Sequence, residues 1–318
     1  MAGGAGNNVF RFNTNDVDAG ETVTLTGTTD AFDVVTTTVF DNMNAGAALT
    51  GLDDINIAEA QNAEFLSDQL TGLTLTVDGV AGGAVETLIV DASANTGVTI
   101  NLGNATLSNA VSSITGGTGA DTITGTNAND TITGGSGADT LNAGPGVNAY
   151  RYTSTTFIDM TSEGNDILTS YLGLNTLNTQ FVQLASGLLN NGASNRQDYT
   201  PGAGATIGAN DVILIANNGA LGTTSLSTAV GALTALTTAY SDRTALVNGD
   251  KVLFVASNGT NAYAWLVQQG GAPLASSDFT LVTSFGGVTN IDESVFGGDI
   301  AVPALSGAVA GTNIFAIN

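Results

Sequence analysis

The sequence predicts a mainly β protein: a right-handed parallel β-solenoid or β-roll over residues 1–170, then a β-rich C-terminal domain, α+β or sandwich, over 171–318. Three observations carry this. Glycine supplies 42 of 318 residues, and Thr, Asn and Ala are abundant while Lys, Glu and Gln are scarce, a composition of turns and strands that disfavours exposed helix. An apolar residue recurs every nine positions, at Ile114, Ile123, Ile132, Leu141 and Tyr150. After about residue 170 the texture changes to longer strand-like runs and one helical pattern.

The short strands of the first part are read at Asp33–Val39, Ile55–Ile57, Leu73–Val77, Thr87–Val90 and Val98–Leu102, divided by Gly, Asn and Asp turn signals. Ala58–Leu70 reads as a short helix or a loop excursion. In the second part Asp211–Ala216, Lys251–Ala256 and Tyr263–Val267 read as strands, the last two joined through Asn258-Gly259, a favoured hairpin turn. Ser225–Tyr240, with Leu226, Val230, Leu233 and Leu236 three or four apart, reads as an amphipathic helix.

Composition excludes several chemistries. The chain has no His and no Cys, so it has no Ser-His-Asp triad, HExxH zinc site, thiol nucleophile, disulfide or iron–sulfur cluster. Five Lys and Arg against 28 Asp and Glu give a formal charge of −23. That charge repels nucleic acid and anionic lipid, which need clustered basic residues, and makes divalent cations the natural ligands. The 42% hydrophobic content argues for a folded chain and against an acidic polymer. No apolar run reaches the roughly 20 residues of a membrane-spanning helix, and the first residues carry no basic, apolar signal peptide.

The nine-residue rows read Gly116-Gly-Thr-Gly-Ala-Asp121-Thr-Ile-Thr124, Gly125-Thr-Asn-Ala-Asn-Asp130-Thr-Ile-Thr133 and Gly134-Gly-Ser-Gly-Ala-Asp139-Thr-Leu-Asn142. A degenerate fourth follows, Ala143-Gly-Pro-Gly-Val-Asn148-Ala-Tyr-Arg151. Glycines permit positive φ in a tight six-residue loop, and the short strand after it turns one apolar residue inward. A single copy opens the chain as Gly3-Gly-Ala-Gly-Asn7-Asn8-Val-Phe10-Arg11, followed by Phe12 and an acidic loop with Asp16, Asp18 and Glu21. The pattern of glycine row, aromatic pair and acidic loop returns at Tyr150, Tyr152, Asp159, Glu163 and Asp166. A glycine row at the start suggests either a chain cut from a longer protein or an N-terminal row that packs on another subunit.

These rows resemble the calcium-binding nonapeptide G-G-x-G-x-D-x-U-x of RTX (repeats-in-toxin) proteins over residues 107–151. The resemblance implies two rows per coil, so Asp121 and Asp139 fall on one side and share Ca²⁺ with loop carbonyls of Gly117, Gly119, Gly135 and Gly137. On the other side Asp130 has Ser112 one coil before and Asn148 one coil after. With Asn127 and Asn129 these are expected to hold calcium more weakly or to hold fewer ions. The segment from Asp250 through Trp265 and Asp278 to the acidic end resembles the C-terminal module of type I secreted RTX proteins, which carry an uncleaved export signal.

Neither catalysis nor ice binding is expected. No G-x-S-x-G elbow occurs. Asp53-Asp54 and Asp292-Glu293 are adjacent pairs that do not converge as glycosidase carboxylates do. A polysaccharide lyase needs clustered basic residues, whereas Arg11, Arg151, Arg196, Arg243 and Lys251 are scattered. Outward Thr122, Thr124, Thr131 and Thr133 are ordinary strand formers. The chain resembles the C-terminal region of bacterial surface-layer proteins. That implies a secreted, cell-surface structural protein that folds on calcium and self-assembles as a homo-oligomeric lattice or filament, with cell-surface polysaccharide as an anchoring partner. The competing expectation is a calcium-dependent adhesin or the secretion module of a larger RTX protein.

Overall fold

Short strands between glycine-rich turns leave each strand too little apolar surface to bury alone, so stability comes from stacking coil upon coil. The computed structural model describes residues 2–13, 22–40, 48–169, 179–185, 188–189, 195–199, 205–206, 211–216, 225–242, 246–271, 273–288 and 315–317. The chain forms two compact units, one of residues 1–135 with 142–149 and one of 136–141 with 150–318.

The first unit is built from β1 (Asn8–Phe12), β2 (Asp30–Val34), β3 (Thr38–Val39), β4 (Leu52–Ile57), β5 (Asn62–Leu66), the single turn α1 (Ser67–Leu70), β6 (Thr76–Asp78), β7 (Glu86–Asp91), β8 (Thr99–Asn101), β9 (Thr106–Ser108), β10 (Ala110–Thr115), β11 (Thr122–Thr124) and β12 (Asp130–Thr133). Its pairings are parallel. One sheet runs β1-β2-β4-β6-β9, a second face carries β3-β5-β7-β10-β12, and β8 pairs with β11. The chain therefore winds from face to face and returns one strand further on, as a solenoid does.

Register shows the coil tightening. Phe65 pairs with Val90 and Val90 with Ile114, at twenty-five and twenty-four residues per coil. Ile114 then pairs with Ile132, at eighteen, two nonapeptides. Each inward column is apolar. Phe32, Ile55 and Val77 stack on one face and Phe65, Val90, Ile114 and Ile132 on another, and all are buried. At the N-terminal end Phe12, Phe32, Phe40 and Phe65 pack ring to ring, with centroids 4.5–6.4 Å apart, a favoured aromatic geometry.

The second unit comprises β13 (Thr140–Asn142) and β14 (Val147–Tyr152), which cross into it, then α2 (Phe157–Glu163), β15 (Asp166–Leu168), β16 (Thr179–Leu184), β17 (Asn195–Tyr199), β18 (Ala205–Thr206), β19 (Asp211–Ala216), α3 (Ala229–Ala239), β20 (Tyr240–Asp242), β21 (Lys251–Ser257), β22 (Ala262–Gln268), a 3-10 turn (Ser276–Asp278), β23 (Phe279–Phe285) and β24 (Phe315–Ile317). Its main sheet runs β17-β19-β21-β22-β23-β15-β13. The β21-β22-β23 meander is antiparallel and the flanking pairs are parallel.

The hairpin through Asn258-Gly259 forms as the sequence predicts, with Gly259 at φ +86°. Helix α3 is capped by the Thr228 side chain, which accepts from Gly231 N–H at 3.1 Å. It packs on the sheet through Ala232, Ala235, Leu236 and Ala239. Trp265, Phe254, Val252 and Phe279 complete that core, and Trp265 Nε1 donates to Leu226 O at 2.9 Å.

Two expectations are corrected. Within Ala58–Leu70 the chain forms strand β5 (Asn62–Leu66), because Ala63 and Phe65 fill the column beside β7; only the last four residues turn as a helix. Val230 faces out, 64% exposed. Alanines form the contact face of α3, and at Gly231 a Cβ would fall 1.6 Å from Ser225 O, so the first turn lies tight against the preceding chain. The acidic loop at 16–21, Asp292-Glu293, the acidic end, Arg243 and the Arg196 side chain lie outside the described residues.

Candidate metal centre

In three of the four nonapeptide rows the side chain at the sixth position holds its own loop. Asp121, which is buried, accepts from Gly117 N–H at 2.8 Å in its own loop and from Val98 N–H at 2.7 Å one coil earlier. Asp130 accepts from Thr126 N–H at 2.9 Å, from the Thr126 hydroxyl at 2.7 Å and from the Ser112 hydroxyl. Asn148 reverses the polarity. Its Nδ2 donates to Gly144 O at 2.9 Å and Pro145 O at 3.2 Å, and its Oδ1 accepts from Asp130 N–H at 2.9 Å. The side chain thus closes its loop and ties it to the neighbouring coil.

Stacking brings carbonyl oxygens against glycine backbone. A Cβ on Gly135 would lie 2.1 Å from Gly117 O, and one on Gly116 2.1 Å from Gly134 O. Beside the Asp130 row the corresponding approaches are Gly144 to Thr126 O at 2.7 Å, Gly146 to Ala128 O at 2.2 Å and Gly125 to Ala143 O at 2.7 Å. Only glycine fits these cradles. Gly119, Gly135 and Gly137 also have φ of +86°, +101° and +140°, which side chains resist.

The donor set is hard oxygen throughout: backbone carbonyls, two carboxylates and an amide. Among the described residues no group of three His, Cys, Asp or Glu converges. An ion here would take most of its shell from carbonyls, as Ca²⁺ accepts in its flexible six to eight oxygen coordination. Burial pushes the Asp130 carboxyl up to about 6, against the lowering effect of the Ser112 and Thr126 hydrogen bonds. A carboxylate so desolvated is stabilised in its charged form by a nearby cation.

The other expected ligands are placed as follows. Asn127 Oδ1 accepts from Leu107 N–H at 2.8 Å and Asn129 Oδ1 from Val147 N–H at 2.9 Å, so both side chains cross-link coils. Gly117 and Gly135 meet backbone to backbone, as do the Asp130 and Asn148 rows. Asp139 is buried in the second unit. There its N–H donates to Asp166 Oδ1 at 2.9 Å, and Gly137 N–H donates to Ser162 O at 2.7 Å.

Sequence reasoning missed the carbonyls of Thr126, Ala128, Gly134 and Ala143, since a carbonyl leaves no trace in residue type. It also missed a recurring tie in which an acidic residue accepts the N–H of its counterpart one coil back. Asp30 takes Asn8 N–H at 3.1 Å, Asp53 takes Asp30 N–H at 2.8 Å and Glu86 takes Ala60 N–H at 3.1 Å. In the second unit Asp166 does the same for Asp139, and its Oδ2 accepts from the Tyr152 hydroxyl at 2.8 Å. Burial holds both the Asp166 carboxyl and the Tyr152 phenol well above their ordinary values. Glu163 closes the acidic loop by accepting from Thr153 N–H at 2.6 Å and Thr153 Oγ1 at 2.7 Å.

Parallel coils of eighteen residues, aspartate-closed glycine loops and facing carbonyls define a calcium-binding roll. Residues 115–149 match the RTX calcium-binding nonapeptide repeat, in four copies. RTX nonapeptide repeats bind calcium ions and are typical of secreted proteins. No curated protein and no solved structure matches the chain. Among the described residues no helix is long and apolar enough to cross a membrane.

Proposed function

We propose that this chain is an extracellular, non-enzymatic structural protein whose roll folds on calcium and which then self-assembles into a surface layer or filament after type I secretion. The observation that carries the reading is the run of glycine cradles filled by carbonyls of the neighbouring coil in residues 116–146. Asp121 with the carbonyls of Gly117 and Gly119, and Asp139 with those of Gly135 and Gly137, are assigned to one side by their eighteen-residue period. Asp130, Asn127, Asn129 and Asn148 are assigned to the other. The second is the weaker, because three donors already occupy the Asp130 carboxylate and Asn148 brings no charge.

Calcium acts twice in this account. It neutralises carboxylates within the roll, so that binding free energy becomes folding free energy. It also bridges acidic surfaces of neighbouring copies, which a net charge of −23 otherwise keeps apart. Low cytosolic calcium keeps the chain exportable and millimolar calcium outside completes folding. Cell-surface polysaccharide is the proposed anchor.

Light scattering during a calcium titration of an EGTA-treated sample tests this. Large, EGTA-reversible particles support it. Compaction of a monomer without growth overturns self-assembly and favours the adhesin or secretion-module reading.

A further inference from the structure

The two sides of the roll hold their aspartates differently. Asp121 accepts from backbone N–H groups, of Gly117 at 2.8 Å and of Val98 at 2.7 Å. Asp130 accepts from the equivalent Thr126 N–H at 2.9 Å and, beyond it, from two hydroxyls. Thr126 Oγ1 donates to Asp130 Oδ1 at 2.7 Å, and Ser112 Oγ donates to that same oxygen. The residues at the corresponding places beside Asp121 are Gly117 and Val98, which have no hydroxyl.

Both hydroxyls are built into the coil. Ser112 and Thr126 are each 2% exposed. Ser112 is the register partner of Asp130 in the β10–β12 pair, so strand pairing itself brings its Oγ to the carboxylate. Thr126 Oγ1 is fixed from both directions, since it also accepts from Ala128 N–H at 3.1 Å. Neither residue belongs to the nonapeptide pattern: Thr126 stands where the pattern has glycine, and Ser112 precedes the matched residues.

An ion at Asp130 meets these donors as rivals. A carboxylate has about four lone-pair directions, and hydrogen bonds to a charged group are the strong ones. Three donors already occupy this carboxylate, and burial keeps water from replacing one that turns away. The neighbours along the column add no charge to offset this. Ser112 before and Asn148 after are neutral, and Asn148 Oδ1 is turned to Asp130 N–H at 2.9 Å.

We propose that the Ser112 and Thr126 hydroxyls compete with calcium for the Asp130 carboxylate and set this side of the roll to fill at higher calcium than the Asp121 side. The inference rests on the calcium reading and adds a regulation to it: the roll responds to calcium in two steps. The hydroxyls are competitors and not ligands because each donates its hydrogen to the carboxylate oxygen that an ion would need, whereas a ligand presents lone pairs.

Calorimetric titration of the full chain with Ca²⁺ tests this, on variants whose calcium-induced far-UV β signal shows that they fold. Asp130→Asn marks the weak class of sites by removing it. Ser112→Ala deletes one hydroxyl, and Ser112→Ala with Thr126→Gly deletes both and gives the row the glycine of its neighbours. Thr126→Ser keeps the hydroxyl, and Thr122→Ala removes an exposed one as the control.

The weak class should tighten in Ser112→Ala and reach about tenfold in the double variant, with the tight class unchanged. Thr126→Ser and Thr122→Ala should match the wild type. Loss of a merely structural bond would weaken binding instead. A weak class that loosens or stays the same in Ser112→Ala and in the folded double variant overturns the competition and leaves the calcium roll standing; if the double variant does not fold, Ser112→Ala alone decides. A wild type that binds no calcium overturns both.

Discussion

Replacing Gly135 by alanine tests the carbonyl cradle at its tightest point. Gly135 has φ +101°, and a methyl there would sit 2.1 Å from Gly117 O and 3.1 Å from its carbon. The backbone strain costs about 1–2 kcal/mol. Relief of the overlap moves one loop by about 1 Å, which forfeits packing and pulls a proposed ligand away, for a total of about 3 kcal/mol. If folding and binding are one event, that loss appears in the calcium midpoint: about a hundredfold for a single ion, or about tenfold when two ions bind cooperatively. Gly287→Ala is the control, with φ +77° and nothing within 4 Å; it carries backbone strain in the second unit without intrusion. Far-UV circular dichroism against buffered free calcium reads both variants. Equal midpoints for Gly135→Ala and wild type would refute the cradle as the calcium site.

Other substitutions separate the parts of the structure. Ile132→Ala removes a fully buried side chain from the roll column and should cost about 3 kcal/mol in denaturant melts of the calcium-loaded protein; a loss under about 1 kcal/mol would contradict the stacked core. Asp121→Asn should raise the calcium midpoint more than Asp130→Asn in isothermal titration, and the reverse order would reject the ranking of the two sides. Trp265→Phe removes the Nε1 bond to Leu226 O and should destabilise the second unit by about 1–2 kcal/mol, with the calcium midpoint unchanged.

Asp30 is held below the ordinary carboxylate value, first by Gly27 N–H and then by Asn8. The unfolded chain therefore binds the extra proton, and the contribution of Asp30 is complete above the ordinary value near 4 and lost as pH falls toward the folded one. Asp30→Asn should flatten that acid limb in pH-dependent melts, and an unchanged limb would place the lowering elsewhere.

What the sequence makes legible follows from how regular each signal is. Ile114, Ile123 and Ile132 repeat at a fixed spacing because each nonapeptide is half a coil of constant length, so the roll and its loop glycines can be read directly. The coils before it pair Phe32 with Ile55 and Val77 with Leu107, twenty-three and thirty residues apart. That variation leaves individual strands visible but hides their stacking order. Strand β5 is lost because Glu64 favours helix locally, and the pairing of Phe65 with Val90 overrides it.

Asp30, Asp53 and Asp166 look like acidic turns because the N–H each accepts belongs to a residue twenty-two to twenty-seven positions away. In α3, alanines make the core face, and a pattern built on large apolar residues assigns Val230 inward against the packing.

The most direct test of the account is the far-UV circular dichroism of the intact chain in excess EGTA, followed by calcium addition. The account predicts that the parallel-β signal of the roll is absent in EGTA and returns cooperatively on calcium addition. A full β spectrum in excess EGTA, unchanged by calcium, would contradict it.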